Sequence, residues 1–216
     1  MNATHAKGLM PRKTPRQARS VVTVDAIFEA TIQVLLSHGL QRLTTTRVAD
    51  RAGVSVGTLY QYYPNKQSLL YAVLGHHLDR VVESVEQACG RHHHEPLAMM
   101  VPPLIQAYVD AKTARLDEAN ALNLVAAELN SADLIAQASK RVRSAILSML
   151  ATASDARFDD LNIVSFMVHA AMAGPTRSAL ESGAPSKILR ALHEHLTMLC
   201  HAYLSRVAIP DGIEQR

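Results

Sequence analysis

The sequence predicts an all-α protein, with a three-helix helix-turn-helix unit near the N-terminus and a longer helical body behind it. Three observations carry this. Apolar residues recur at helical spacing along almost the whole chain after about residue 23. The stretch TTTRVADRAGVSVGTLYQYYPNK, Thr44–Lys66, reads as two short helices around a glycine. Composition agrees: 48% of residues are apolar, yet there is no Trp, with only three Phe and six Tyr, so Ala, Leu, Val and Met do the packing and favour helices.

In chain order, residues 1–22 form a basic arm without apolar periodicity, carrying Lys7, Arg12, Lys13, Arg16, Arg19 and two prolines. It reads as a flexible segment, open either to a plain solvated role or to one following DNA phosphates or the minor groove. A helix over Thr23–His38 follows, with Ile27, Thr31, Val34 and Leu35 on one face and Gly39 at its end. Thr44 caps the next helix, whose apolar face is Val48, Ala49 and Ala52. Gly53 supplies a left-handed turn, and Val54 re-enters the core. Ser55 caps a second helix through Leu59, Tyr60 and Tyr63, and Pro64 stops it. Ala49, Ala52, Val54 and Leu59 are expected to be buried. Thr45, Thr46, Arg47, Val56, Gly57, Thr58, Tyr60, Gln61 and Tyr62 lie outside that core.

The charge distribution separates the same segments. Residues 1–66 hold nine Lys and Arg against Asp25, Glu29 and Asp50, a balance of +6, while residues 67–216 hold thirteen basic and sixteen acidic groups, a balance of −3. A basic N-terminal third on a mildly acidic body is the electrostatic footprint of a nucleic-acid reader with a second function elsewhere.

The string AGVSVGTLYQYYPNKQSLL is similar to the DNA-binding signature of the TetR (TetR/AcrR) family of bacterial transcriptional regulators. The likeness covers roughly Thr23–Leu74, with Tyr63 standing where family members commonly carry Phe. It implies that Thr46, Val56, Gly57 and Gln61 face base edges in the major groove. By the same resemblance Thr44, Thr45, Thr58, Tyr60, Tyr62 and Lys66 contact phosphates, and Arg47 and Ser55 complete the DNA-facing set. The chemistry suits those roles: hydroxyls, helix N-termini and a Lys match phosphate oxygens, and Gln can pair with a base edge. Val56 could touch a thymine methyl, and Gly57 allows close backbone approach.

Behind the 23–66 unit, residues 67–216 form the body. Asn65 caps a helix from Lys66 to Ala88 striped by Leu69, Leu70, Val73, Leu74, Leu78, Val81, Val82 and Val85. The resemblance makes this helix the mechanical link to the body. The pattern breaks over 90–96, then predicts helices near 97–115, 117–130, 132–153, 159–182 and 186–206. Asp133, Asp160 and Ser186 are the expected caps. Gly183 with Pro185 is a stop, and Pro175 predicts a kink or register shift. Pro102 and Pro103 either sit in a first turn or break a helix.

The resemblance further implies a homodimer built by the last two helices, through Ile163, Met167, Ala171, Leu189, Leu192, Leu196, Leu199 and Tyr203. A two-fold dimer would also let two recognition helices read two half-sites of a palindromic double-stranded operator. A pocket for a small-molecule effector is implied in the body, with Met99, Met100, Ile105, Tyr108, Leu124, Glu128, Phe166, His169, Met172 and Arg177 as candidate lining. The leading reading is a ligand-responsive repressor. The alternative is a constitutive DNA-binding protein whose body only dimerises.

Other classes find little support. No run of about 18 uncharged apolar residues predicts a membrane span, and no apolar segment follows the basic N-terminus as a secretory leader requires, so a cytoplasmic location is expected. Cys89 and Cys200 read as reduced structural thiols. His92, His93 and His94 are consecutive, so they do not share a helix face, and even with His76 and His77 no metal site is expected. No nucleophile elbow, Gly-rich phosphate loop or HExxH pattern marks an enzyme, and no catalytic residue or cofactor is assigned.

Overall fold

Side-chain caps set helix starts at Thr44, Ser55, Asn65 and Asp160. The computed structural model describes residues 18–209. Among them are nine helices and no strand, with one isolated antiparallel bridge between Arg157 and Ile209. We label the helices α1 (Ala18–Arg42), α2 (Thr45–Ala52), α3 (Val56–Tyr62), α4 (Lys66–Arg91), α5 (Leu97–Thr113), α6 (Leu116–Glu128), α7 (Ala132–Leu150), α8 (Leu161–Glu181) and α9 (Ser186–Val207).

The chain divides into two compact units. One contains the residues up to His77 together with Asp117–Ala132, and the other contains Leu78–Leu116 together with the residues from Asp133 onward. In the first, Ile27, Phe28, Leu43, Val48, Leu59, Tyr63 and Leu69 are buried. The rings of Phe28 and Tyr63 sit 5.9 Å apart in a tilted pair. Ala119, Leu122 and Val125 of α6 are also buried, and His77 Nδ1 lies 3.3 Å from Glu118 Oε1, an interaction between two side chains withdrawn from water. The second unit has a continuous core drawn from Val81, Val82 and Val85 of α4, Met100 to Val109 of α5, Ile146 and Met149 of α7, Val168 and Met172 of α8, and Leu192, Leu196 and Leu204 of α9. At its edge the Arg141 guanidinium donates to Asp79 Oδ1 at 2.7 Å and Glu86 Oε2 at 2.8 Å, tying α7 to two positions of α4 that lie about two turns apart.

Several expectations need revision. α1 begins at Ala18, so the last residues of the segment read as a flexible arm are helical; residues 1–17 lie outside the described residues. Gly39 does break α1, with φ at 74°. Asp133 lies inside the first turn of α7, where its charge favours the helix N-terminus. Ser186 is the first residue of α9, and Pro185 takes the N-cap position without a side-chain hydrogen bond. α4 continues to Arg91, three residues past its expected end. α5 runs through Pro102 and Pro103, and α8 runs through Pro175, each as one helix. Asp160 caps α8 as expected, accepting from the backbone N–H groups of Asn162 at 2.8 Å and Ile163 at 3.1 Å.

Among the described residues one helix, Ser20–Arg42, is long and apolar enough by length and composition to cross a membrane, with mean hydropathy 1.5. Its Val24, Ile27, Phe28, Ala30, Ile32, Val34 and Leu35 are instead consumed by packing inside the first unit.

Candidate nucleic-acid interface and effector-binding residues

Local chemistry builds the α2–turn–α3 element. The Thr44 hydroxyl accepts from the Arg47 N–H at 3.3 Å, and the Ser55 hydroxyl accepts from the Thr58 N–H at 3.0 Å, so each helix start has one of its free N–H groups satisfied. Between them Gly53 adopts φ 68° and ψ 29°, while the Val54 N–H reaches back to the Ala49 carbonyl at 3.0 Å. This closes the last turn of α2 and redirects the chain. Nothing lies within 4 Å of where a Gly53 Cβ would be, so a side chain there meets conformational strain and no clash. Gly53→Ala is therefore expected to cost about 1–2 kcal/mol. Thermal unfolding checks it: a melting temperature equal to the parent's would show that the turn does not need glycine.

Val48, Ala49 and Leu59 are fully buried under the motif, whereas Ala52 and Val54, expected in the same core, are only half-buried. α2 and α3 are also joined on their outer side, where Thr45 Oγ1 and the Tyr60 hydroxyl are 3.0 Å apart. Arg51 Nε donates to Gln33 Oε1 at 2.6 Å and so links α2 to α1. Arg47 donates to the Arg42 carbonyl at 2.8 Å, and Lys66 Nζ to the Leu40 carbonyl at 2.6 Å. These two cations therefore complement carbonyls just past the Gly39 break.

The twelve residues read as DNA-facing are all open to solvent to some degree. Thr44, Thr46, Arg47, Ser55, Gly57, Tyr60 and Gln61 are exposed, and Thr45, Val56, Thr58, Tyr62 and Lys66 are half-buried. Gly57 has room for a side chain, since an added Cβ would meet only Ser55 Oγ at 3.7 Å. Tyr63, the departure from the motif, is a core residue, and burial pushes its phenol above the ordinary tyrosine range.

The candidate effector residues fall in both compact units and differ in exposure. Leu124 and Glu128 are exposed on α6 and belong to the first unit. In the second unit Met100, Ile105 and Met172 are wholly inside the core, Met99 and Arg177 face solvent, and Phe166 is half exposed. Tyr108 and His169 do meet, as an edge-on ring pair with centroids 6.4 Å apart. Burial pushes the Tyr108 phenol up to about 12. Burial lowers His169 below the ordinary histidine value, and the Arg143 and Lys112 charges lower it further. Lys112 and Arg143 were not singled out from sequence, although Lys112 follows Tyr108 by four residues on one face of α5.

The interface candidates also divide. Ile163, Met167 and Leu199 are exposed, while Ala171, Leu189 and Tyr203 pack against the core. Leu192 and Leu196 are inside it, so neither can be reached by a second copy of a folded chain. Phe166, Ile188 and Met198 are additional exposed apolar residues on the same two helices.

Two further groups have simple roles. Cys89 and Cys200 are buried free thiols that burial pushes to about 12 and about 11, so they pack as neutral groups. In the histidine loop, His92 Nδ1 is 2.7 Å from Glu95 Oε2, and His94 takes φ 62° with its N–H donating to Thr152 Oγ1 at 3.0 Å. Among the described residues no three His, Cys, Asp or Glu side chains gather as a metal site.

Comparison with known proteins agrees with this architecture. Residues 27–73 match the model for bacterial regulatory proteins of the tetR family, and residues 96–204 match the tetracyclin repressor-like C-terminal domain. The chain is similar to the transcriptional repressor KstR of Mycobacterium tuberculosis, 32% identical over 120 residues, which are 55% of this chain and 54% of the relative. It is also similar to the transcriptional regulator TtgR of Pseudomonas putida, 31% identical over 119 residues, covering 50% and 53% of the two chains. It thus spans about half the length of these curated relatives. A TetR transcription regulator from Haloarcula marismortui shares the fold, with a TM-score of 0.67 at 19% identity over 87% of this chain and 98% of that one. With helix-turn-helix and helical body both matched in chain order, the protein belongs to the TetR family of bacterial regulatory proteins.

Proposed function

We propose that this chain is a cytoplasmic, ligand-responsive transcriptional repressor that binds a palindromic DNA operator as a homodimer and releases it when a small molecule occupies the second unit. The observation that carries the DNA-binding part is the capped α2–turn–α3 element. Its two helix N-termini and the side chains of Thr46, Val56, Tyr60 and Gln61 are accessible around a buried Val48–Ala49–Leu59 base. The relatives named as a repressor and a regulator support the regulatory part. Release follows from a general constraint: an effector can weaken DNA binding only by favouring a state that fits the operator less well. α4 supplies residues to both compact units, so a shift of that helix is the proposed coupling step.

Operator binding tests the assignment. Lys66 commits one of its three donors to the Leu40 carbonyl and keeps two for a phosphate oxygen. Lys66→Met is expected to weaken binding to every duplex by about 1 kcal/mol or more and to flatten the salt dependence by roughly one phosphate contact. Gln61→Ala is expected to change the preferred sequence. Gly57→Ala is expected to lower operator affinity without lowering the melting temperature, because the free chain has room for the added Cβ. Fluorescence anisotropy on a selected palindrome and on scrambled duplexes reads all three. Parent-like binding by all three variants would remove α3 from the groove. An operator complex that no small molecule weakens would instead favour constitutive DNA binding with a body that only dimerises.

A further inference from the structure

Two of the residues read as phosphate contacts are bonded to each other. Thr45 is the first residue of α2, Tyr60 is the fifth of α3, and Thr45 Oγ1 lies 3.0 Å from Tyr60 Oη. At that separation one hydroxyl donates to the other. Each hydroxyl carries a single proton, and phosphate oxygens only accept. The proton held between the two oxygens is therefore withheld from DNA, and the pair keeps one O–H to give. While their own bond stands, Thr45 and Tyr60 cannot both donate to phosphates.

Exposure decides which of them gives. Tyr60 is 41% exposed, whereas Thr45 is half-buried. A phenol is also the stronger donor of the two kinds of hydroxyl. With Thr45 donating to Tyr60, the remaining proton sits on the more accessible oxygen. The reverse order would leave it on the less accessible one. Hydrogen bonds in series polarise one another, so a phenol that accepts from Thr45 gives its own proton more strongly. The same bond holds the Tyr60 side chain in place before DNA arrives, which lowers the ordering cost of binding.

Resting on the DNA-binding reading, we propose that the Thr45 hydroxyl does not meet DNA itself. Thr45 is a positioning residue that donates to Tyr60, and Tyr60 alone of the two gives its proton to a phosphate oxygen. The relay is neutral, so it displaces no counterion and adds nothing to the salt dependence that Lys and Arg contacts create.

A double-mutant cycle on the full chain tests the relay, with operator affinity followed by anisotropy across a salt series. Thr45→Val keeps the shape and removes the hydroxyl, and Tyr60→Phe removes the phenol oxygen. Tyr60→Phe is expected to weaken operator binding roughly tenfold or more, as loss of one hydrogen bond in each half-site implies. Thr45→Val is expected to cost less, but still roughly threefold or more. The double variant is expected to bind within about twofold of Tyr60→Phe alone, because Thr45 then has nothing to act through. Thr45→Ser, which keeps a hydroxyl, is expected to retain the parent's affinity. The salt slope and the melting temperature are expected to stay at the parent's values in every variant. Losses that multiply in the double variant would show that Thr45 reaches DNA independently and would overturn the proposal. So would parent-like binding by Thr45→Val, failure of Thr45→Ser to restore affinity, or a melting temperature that falls in step with affinity. If Thr45→Val and Tyr60→Phe bind like the parent while Lys66→Met weakens binding and Gln61→Ala shifts the preferred sequence, the relay fails and the DNA-binding reading stands. If none of these four changes alters binding to any duplex, the DNA-binding reading itself fails.

Discussion

Leu196→Asp is expected to abolish folding of the second unit. Leu196 is 2% exposed and lies in the core shared by α4, α5, α7, α8 and α9. The substitution removes a packed side chain, which costs about 2–5 kcal/mol, and buries an uncompensated carboxylate, which costs several more. Domains of this size are stable by about 5–15 kcal/mol, so little or no net stability would remain. Leu192→Asp, at 6% exposure in the same core, is expected to behave alike. Circular dichroism and thermal unfolding measure both. A cooperative transition within a few degrees of the parent's would show that these leucines are not core residues.

That result bears on what an apolar stripe can say. Ile188, Leu189, Leu192, Leu196, Leu199, Cys200 and Tyr203 recur along α9 at helical spacing, and the pattern correctly marks a helix. It does not say which of them meet their own chain and which remain uncovered, because both environments select the same side chains. Only packing against α5 and α8 separates Leu192 and Leu196, turned inward, from Ile188 and Leu199, turned out.

The helix-turn-helix was more legible because its signals are local. Thr44, Gly53, Ser55 and Asn65 act within three or four residues of their own positions, through caps and a left-handed turn that sequence spacing displays directly. The same holds for Asp160 at the start of α8. Where the deciding contact was distant, the reading was weaker. Nothing near residue 118 announces that Glu118 faces His77, 41 positions away, or that Asp117–Ala132 joins the first compact unit. Nothing local to Lys112 shows that the Arg177 charge of another helix lowers its ammonium further below the ordinary range. The proline penalty weighs less than expected at α5, where tertiary packing can outweigh a local cost of about 3 kcal/mol.

Charges at the exposed apolar positions are expected to split the proposed dimer and leave each copy folded. Ile163, Phe166 and Met167 on α8 and Ile188 and Leu199 on α9 are 44–59% exposed, an uncovered apolar surface on two helices that pack together. A second copy presenting the same face would cover it through a two-fold, self-complementary contact. In the double variant Met167→Glu, Leu199→Glu the carboxylates remain hydrated in the single copy, so its stability changes by only about 0.5 kcal/mol per site. In the dimer two-fold symmetry would bury four such groups, and like charges or unpaired carboxylates at an interface centre each cost about 2 kcal/mol or more. Sedimentation velocity is expected to show half the parent's mass, and thermal unfolding a transition that remains cooperative. Operator affinity is expected to fall by about a thousandfold or more, towards the level of non-specific binding, because a lone recognition helix engages only one half-site. Unchanged mass would move the interface off α8 and α9. Unchanged operator affinity in a chain that sediments as a single copy would show that one helix-turn-helix suffices, and the requirement for a dimer would fall.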